Sequence, residues 1–156
     1  MSYYSYGSNR GGFMSNIPTA VKNIIIINVL VMIMISLNEE FMIEKFALFY
    51  PTSPFFHWWQ PVTHMFMHGG FSHLFFNMFA LYMFGSVLER MWGVKRFLIY
   101  YFVAGIGAGL LQEAVQYVSY LHEGLAAYEN VKTPTGVVPM GLFLNMWTTV
   151  GASGAI

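Results

Sequence analysis

The run Ile24–Leu37, I-I-I-I-N-V-L-V-M-I-M-I-S-L, contains only two polar side chains, Asn28 and Ser36. Extended back to Ile17, the segment has the length a helix needs to cross a bilayer core, about 20 residues at about 1.5 Å each. It predicts a first membrane span over 17–37, with Lys22 able to snorkel from its near end. The rest of the chain has the same character. Of its 156 residues, 56% are hydrophobic and 9% charged, against roughly 25% charged in a soluble domain. Net charge is zero and there is no cysteine. No basic surface exists for nucleic acid, and no thiolate is present to ligate a metal or act as a nucleophile.

The leader, residues 1–16, is polar and too weakly basic for a signal peptide. It reads as a disordered cytoplasmic leader ahead of a membrane domain over 17–156. After the first span, 41–50 is amphipathic and too short to cross, and 51–61 is a proline-bounded aromatic loop suited to the membrane interface, with Trp58 and Trp59 at headgroup level. A second span is expected at about 65–88 and a third at about 97–120. Within the third, Gly105 and Gly109 form a small-xxx-small pair that permits close packing. A polar connection over 121–149, with an apolar patch at 140–147, leads to a fourth span starting near Gly151. Arg10, Lys22, Arg90, Lys95 and Arg96 fall on one side of these spans and Lys45 and Lys132 on the other. This excess puts the N-terminus in the cytoplasm. His73, Asn77 and Ser153 then all lie within a few turns of the outer surface.

Intramembrane polar side chains are expensive and should face protein or water. The second apolar segment carries several: His64, His68, His73 and Asn77 in the stretch T-H-M-F-M-H-G-G-F-S-H-L-F-F-N-M, residues 63–78. His73 and Asn77 are four apart, so on a helix their side chains share a face about 5–6 Å apart. Beside a serine at a glycine-flanked turn such as Gly151-Ala152-Ser153-Gly154, two donors can stabilise the oxyanion formed when that serine attacks a carbonyl. Gly151 permits a strained turn, and Gly154 allows close approach of substrate or a facing helix. Each part has a plainer reading. G-x-S-G is common where small residues pack, and His73 with Asn77 could be an interhelical hydrogen bond. His64 and His68, four apart, could be metal or haem ligands, although no carboxylate or thiol lies near them in sequence.

The combination is more specific than its parts. The 63–78 stretch, followed by L-E-R-M-W-G and then G-A-S-G, resembles the rhomboid family of intramembrane serine proteases, with Trp59 standing where that family has a Trp-Arg pair. The resemblance implies an all-α polytopic membrane helical bundle with three complete spans and the start of a fourth. It implies Ser153 as nucleophile and His73 and Asn77 as oxyanion-hole donors. Gly151, Gly154, His64, His68, Trp59 and Glu89 support them: His68 as a hydrogen-bonding residue of the same helix, His64 near the site's mouth, Glu89 as a structural charge near the inner end. It implies no cofactor or metal, transmembrane proteins as substrates, the lipid bilayer as surroundings and the bacterial inner (plasma) membrane as location. A non-catalytic rhomboid-like binder of membrane helices is the alternative, and a His-based metal or haem protein a third.

Two departures stand out. Gln60 occupies the arginine's place in the Trp-Arg pair, and the 121–149 connection is longer than in compact bacterial members. A serine also needs a base, which the family takes from a histidine two spans further on. His57, His64, His68, His73 and His122 are the histidines present, and none suits that role. The sequence therefore reads as the front portion of a protease, inactive as it stands.

Overall fold

The computed structural model describes residues 16–51, 53–122, 124, 129–133, 136–140 and 148–151. Among the described residues, three helical stretches are long and apolar enough to cross a membrane: Thr19–Leu37, Phe71–Trp92 and Val94–His122. They pack into a helical membrane bundle. Residues 1–15 of the leader, 141–147 of the expected apolar patch, and 152–156, with Ser153 and Gly154, lie outside the described residues.

Helix α1 (Thr19–Leu37) begins after Pro18, which supplies no side-chain cap. Its first N–H groups are satisfied from elsewhere: both carboxylate oxygens of Glu89 accept from the backbone of Ala20 (2.9 Å) and Val21 (2.8 Å). An anion at a helix N-terminus meets unpaired donors and the positive end of the helix dipole. At the other end Asn38 caps the short helix α2 (Glu39–Phe46), its side-chain oxygen accepting from Phe41 N–H. Strand β1 (Leu48–Phe49) follows, and then a loop leading to α3 (Gln60–Thr63) and a 3-10 turn (His64–Phe66).

The second span is helix α4 (Phe71–Ala80), a π-helical turn (Leu81–Gly85) and α5 (Ser86–Trp92). It starts six residues later than the apolar pattern indicates. Met65 to Met67 continue the hydrophobic run, but Gly69-Gly70 interrupts the helix before it. The π turn falls where the second span packs against both α1 and the third span. A side chain on Gly85 would come within 3.2 Å of Val21 and 3.4 Å of Phe97. Gly93, at φ 79°, ends α5 in a conformation that favours glycine and turns the chain into α6 (Val94–His122).

The core between the three spans comprises Val21, Ile24, Met65, Leu74, Met78, Leu81, Phe97 and Tyr101 among others. Faces turned away from it are apolar and exposed: Leu30 and Ile33 on α1, Phe71, Phe75 and Phe76 on α4, Val103 and Leu111 on α6. Such faces suit lipid and not water. Inside, the one polar residue of α1 that is fully buried, Asn28, donates to its own helix at Ile24 O (2.8 Å).

Beyond α6 a hairpin forms from β2 (Asn130–Thr133) and β3 (Gly136–Pro139), within the polar connection over 121–149. Strand β4 (Thr148–Thr149) then pairs antiparallel with β1, Leu48 opposite Thr149 and Phe49 opposite Thr148. That pairing returns the chain to the end of the bundle where α3 and the 3-10 turn lie.

Candidate active site

The first loop is organised by Gln60, which is fully buried. Its side-chain oxygen accepts from His57 N–H (3.1 Å) and Phe49 N–H (3.4 Å), and its amide donates to the carbonyls of Phe55 (2.8 Å) and Glu44 (3.3 Å). A neutral amide thus ties α2, β1 and the loop together, doing by hydrogen bonds what an ionic side chain would do by charge. Trp59 supports the same loop, its indole N–H donating to Lys45 O at 2.9 Å. Trp58, 81% exposed, is the tryptophan that points outward.

His64 follows on this platform. Its Nδ1–H donates to Gln60 O (3.0 Å), and its ring lies flat against α6, where a side chain on Gly109 would come within 2.8 Å of Cε1 and Nε2. Glycine is needed there because any other residue would displace the imidazole. Burial pushes the His64 pKa down, against the backbone carbonyls of Gln60 and Pro61, which favour the charged form. His68 stands in the turn ahead of α4, not within the helix. Its Nδ1–H donates to Phe66 O (3.3 Å) and its ring meets that of His73 at 5.1 Å. Burial, with a smaller contribution from His73, pushes its pKa down to about 4.

His73 is different. Its Nδ1 accepts a hydrogen bond from Gly69 N–H at 3.4 Å. A neutral imidazole that accepts at Nδ1 carries its hydrogen on Nε2, so this ring presents a donor to the site. Asn77, one turn on, is buried, and its Nδ2 has no hydrogen-bond partner among the described residues. Both side chains face the segment after β4. Gly151, at φ 98°, donates its N–H to His64 O at 2.8 Å. A side chain there would come within 2.8 Å of His73 Nε2 and 3.7 Å of Asn77 Nδ2. The backbone two residues before Ser153 is therefore packed against the two expected donors. Next to it is a polar-lined cavity of about 430 Å³ between His64, Gly109, Gln112, Gln116, Thr148 and Gly151, roomy enough for several waters at about 30 Å³ each.

A family model of the Rhomboid domain matches residues 55–156. The chain belongs to the rhomboid family. Among curated proteins this rhomboid is similar to the rhomboid protease GluP of Bacillus subtilis, 47% identical over 49 residues, covering 31% of this chain and 10% of GluP. It is similar to the rhomboid protease AarA of Providencia stuartii, 33% identical over 99 residues, covering 64% of this chain and 31% of AarA. A third relative is the rhomboid-like protease 3 of Toxoplasma gondii, 32% identical over 79 residues, covering 51% of this chain and 30% of that protein. The chain thus spans a tenth to about a third of the length of the curated relatives it matches. No solved structure matches it significantly.

Two site-building residues of this rhomboid were not legible as such. Gln60 registers in sequence only as a missing arginine. Glu113, buried in α6, accepts from the Thr149 hydroxyl at 3.4 Å. A lone acid inside an apolar span was the available signal.

Proposed function

We propose that this rhomboid is a serine endopeptidase that cuts transmembrane segments of other membrane proteins, with Ser153 as nucleophile and His73 and Asn77 as oxyanion donors. The observation that carries the reading is the seat of Gly151: bonded to His64 O and pressed against His73 Nε2 and Asn77 Nδ2. Ser153 follows Gly151 by two residues in the chain. As its oxygen attacks a peptide carbonyl, negative charge builds on the carbonyl oxygen. A neutral His73 donating from Nε2 and an unpartnered Asn77 amide are preorganised to receive that charge, in a setting of low dielectric where such bonds count most. The adjoining polar cavity supplies water for the deacylation step.

The base is a separate matter. His64 and His68 are desolvated with Nδ1–H committed to backbone carbonyls, His73 is a donor, His57 packs edge-on to Trp59, and His122 ends α6 at an exposed position. The five-to-two distribution of basic residues supports an N-terminus in the cytoplasm, and a bacterial inner membrane is proposed as the location. Retention of Ser153 favours the protease over a non-catalytic binder of membrane helices. The test is labelling of the protein, in its membrane, by a fluorophosphonate. Labelling that disappears in Ser153→Ala supports the proposal; equal labelling of both proteins would overturn it, and helix binding without labelling would favour the binder.

A further inference from the structure

Gly105, Gly109 and Glu113 are four apart and form one buried stripe along α6. Each faces a different part of the site's support. Gly105 lies against Met65, and Gly109 against the His64 ring and Leu48 of β1. One turn further, the Glu113 carboxyl accepts from Thr149 of β4, the residue paired with Leu48. Two residues later comes Gly151, held by His64 O.

The strand so held is slight. β1 and β4 are two residues each, and an isolated two-stranded pair even of ordinary length is marginal in water. A tie to a rigid helix is therefore worth most at this point. The cost of the tie is also visible: Oε2 of Glu113 is buried with no hydrogen-bond partner among the described residues. A buried, half-satisfied carboxyl destabilises a span. Its hydrogen bond among the described residues is to Thr149.

We propose that Glu113 is a positioning residue: its hydrogen bond to Thr149 clamps β4 onto α6 and so sets the approach of Gly151, and of Ser153 beyond it, to His73 and Asn77. The positioning role rests on Ser153 being the nucleophile; the clamp itself does not.

Two measurements on the protein in membranes separate these. Hydrogen exchange over 148–151 reads the clamp without any appeal to catalysis. Glu113→Leu and Thr149→Val should each speed exchange there at least tenfold, while Glu113→Gln, which keeps an acceptor oxygen, stays within about threefold of the parent. Unchanged exchange in both Glu113→Leu and Thr149→Val overturns the clamp. The first-order rate of fluorophosphonate labelling reads positioning. It should fall at least tenfold in both disrupting variants with reagent affinity unchanged, recover in Glu113→Gln, and fall no further in the double variant, as expected for one shared interaction. Faster exchange with full labelling, or additive losses in the double variant, overturns the positioning role. Labelling that survives Ser153→Ala overturns the protease reading and the positioning role together, leaving the exchange result to decide the clamp. Thr149→Val, which leaves α6 untouched, guards against misfolding of the leucine variant.

Discussion

The hydrogen bond from Gly69 N–H to His73 Nδ1 matters beyond its modest 3.4 Å geometry, because it selects the tautomer whose Nε2 donates. Asn77 complements it with an amide that nothing among the described residues engages. Removing an unpartnered donor costs a fold little, whereas one oxyanion donor is worth about 10² to 10³ in rate. On the proposed oxyanion role, Asn77→Ala is expected to slow cleavage about 100- to 1000-fold with the melting temperature nearly unchanged; unaltered turnover would remove Asn77 from the mechanism. His68 yields a prediction of the opposite kind, on stability. Its pKa is held down to about 4, mainly by burial, against an ordinary 6.5. Between those values the unfolded chain binds more protons than the folded one, so stability is full above pH about 6.5 and is lost as pH falls toward 4. Thermal melts from pH 7 to 4 should show this loss, and His68→Gln should flatten it. The spacing of residues 73 and 77 was readable in sequence, since helical geometry follows from local pattern. The tautomer was not, since it depends on where Gly69 N–H points.

At the scale of elements, one side chain, Gln60, makes four of the hydrogen bonds that hold the loop between α2 and α3. Gln60→Leu would leave the N–H groups of Phe49 and His57 and the carbonyls of Glu44 and Phe55 without this partner. A loss of about 3 kcal/mol is expected at about 1–3 kcal/mol for each buried group left unsatisfied, allowing that some find water. Unfolding in mixed detergent micelles measures it, and an unperturbed midpoint would contradict the hub role. Element boundaries show what a sequence pattern resolves. The bilayer-length runs were plain because lipid thickness dictates them. The start of the second span was less so: Met65, Phe66 and Met67 are apolar in a turn for the same reason they would be apolar in a helix, namely burial. The β1–β4 pair, two residues on each side and separated by about 100 in sequence, has no local signature at all.

As a whole, the molecule presents lipid-compatible surfaces around a thin core, with polar groups gathered at two ends. At one end Glu89 receives the N-terminus of α1, and Arg90 donates to Asn16 O. At the other lie His64, His68, His73 and the Gly151 turn. Helix α6, 29 residues long, runs for about 44 Å, against about 30 Å of hydrocarbon, so it extends beyond the membrane core. The assigned orientation predicts that a cysteine introduced at Trp58 or Lys132 reacts with an impermeant maleimide in intact cells, and one at Lys95 only after permeabilisation. The reverse pattern would invert the topology.

The sequence by itself determined that this is a membrane bundle with three bilayer-length helices, because the thickness of the hydrocarbon core imposes a length and a composition that no tertiary context can alter. It also carried the rhomboid motif, since a helical repeat of four brings residues together without help from the rest of the fold. Only the tertiary structure decided that Gly151 meets His73 and Asn77, that Gly109 admits His64, and that Glu113 reaches Thr149. Those contacts join segments from 36 to 78 residues apart, and whether such segments meet depends on how the spans pack, which no local pattern encodes.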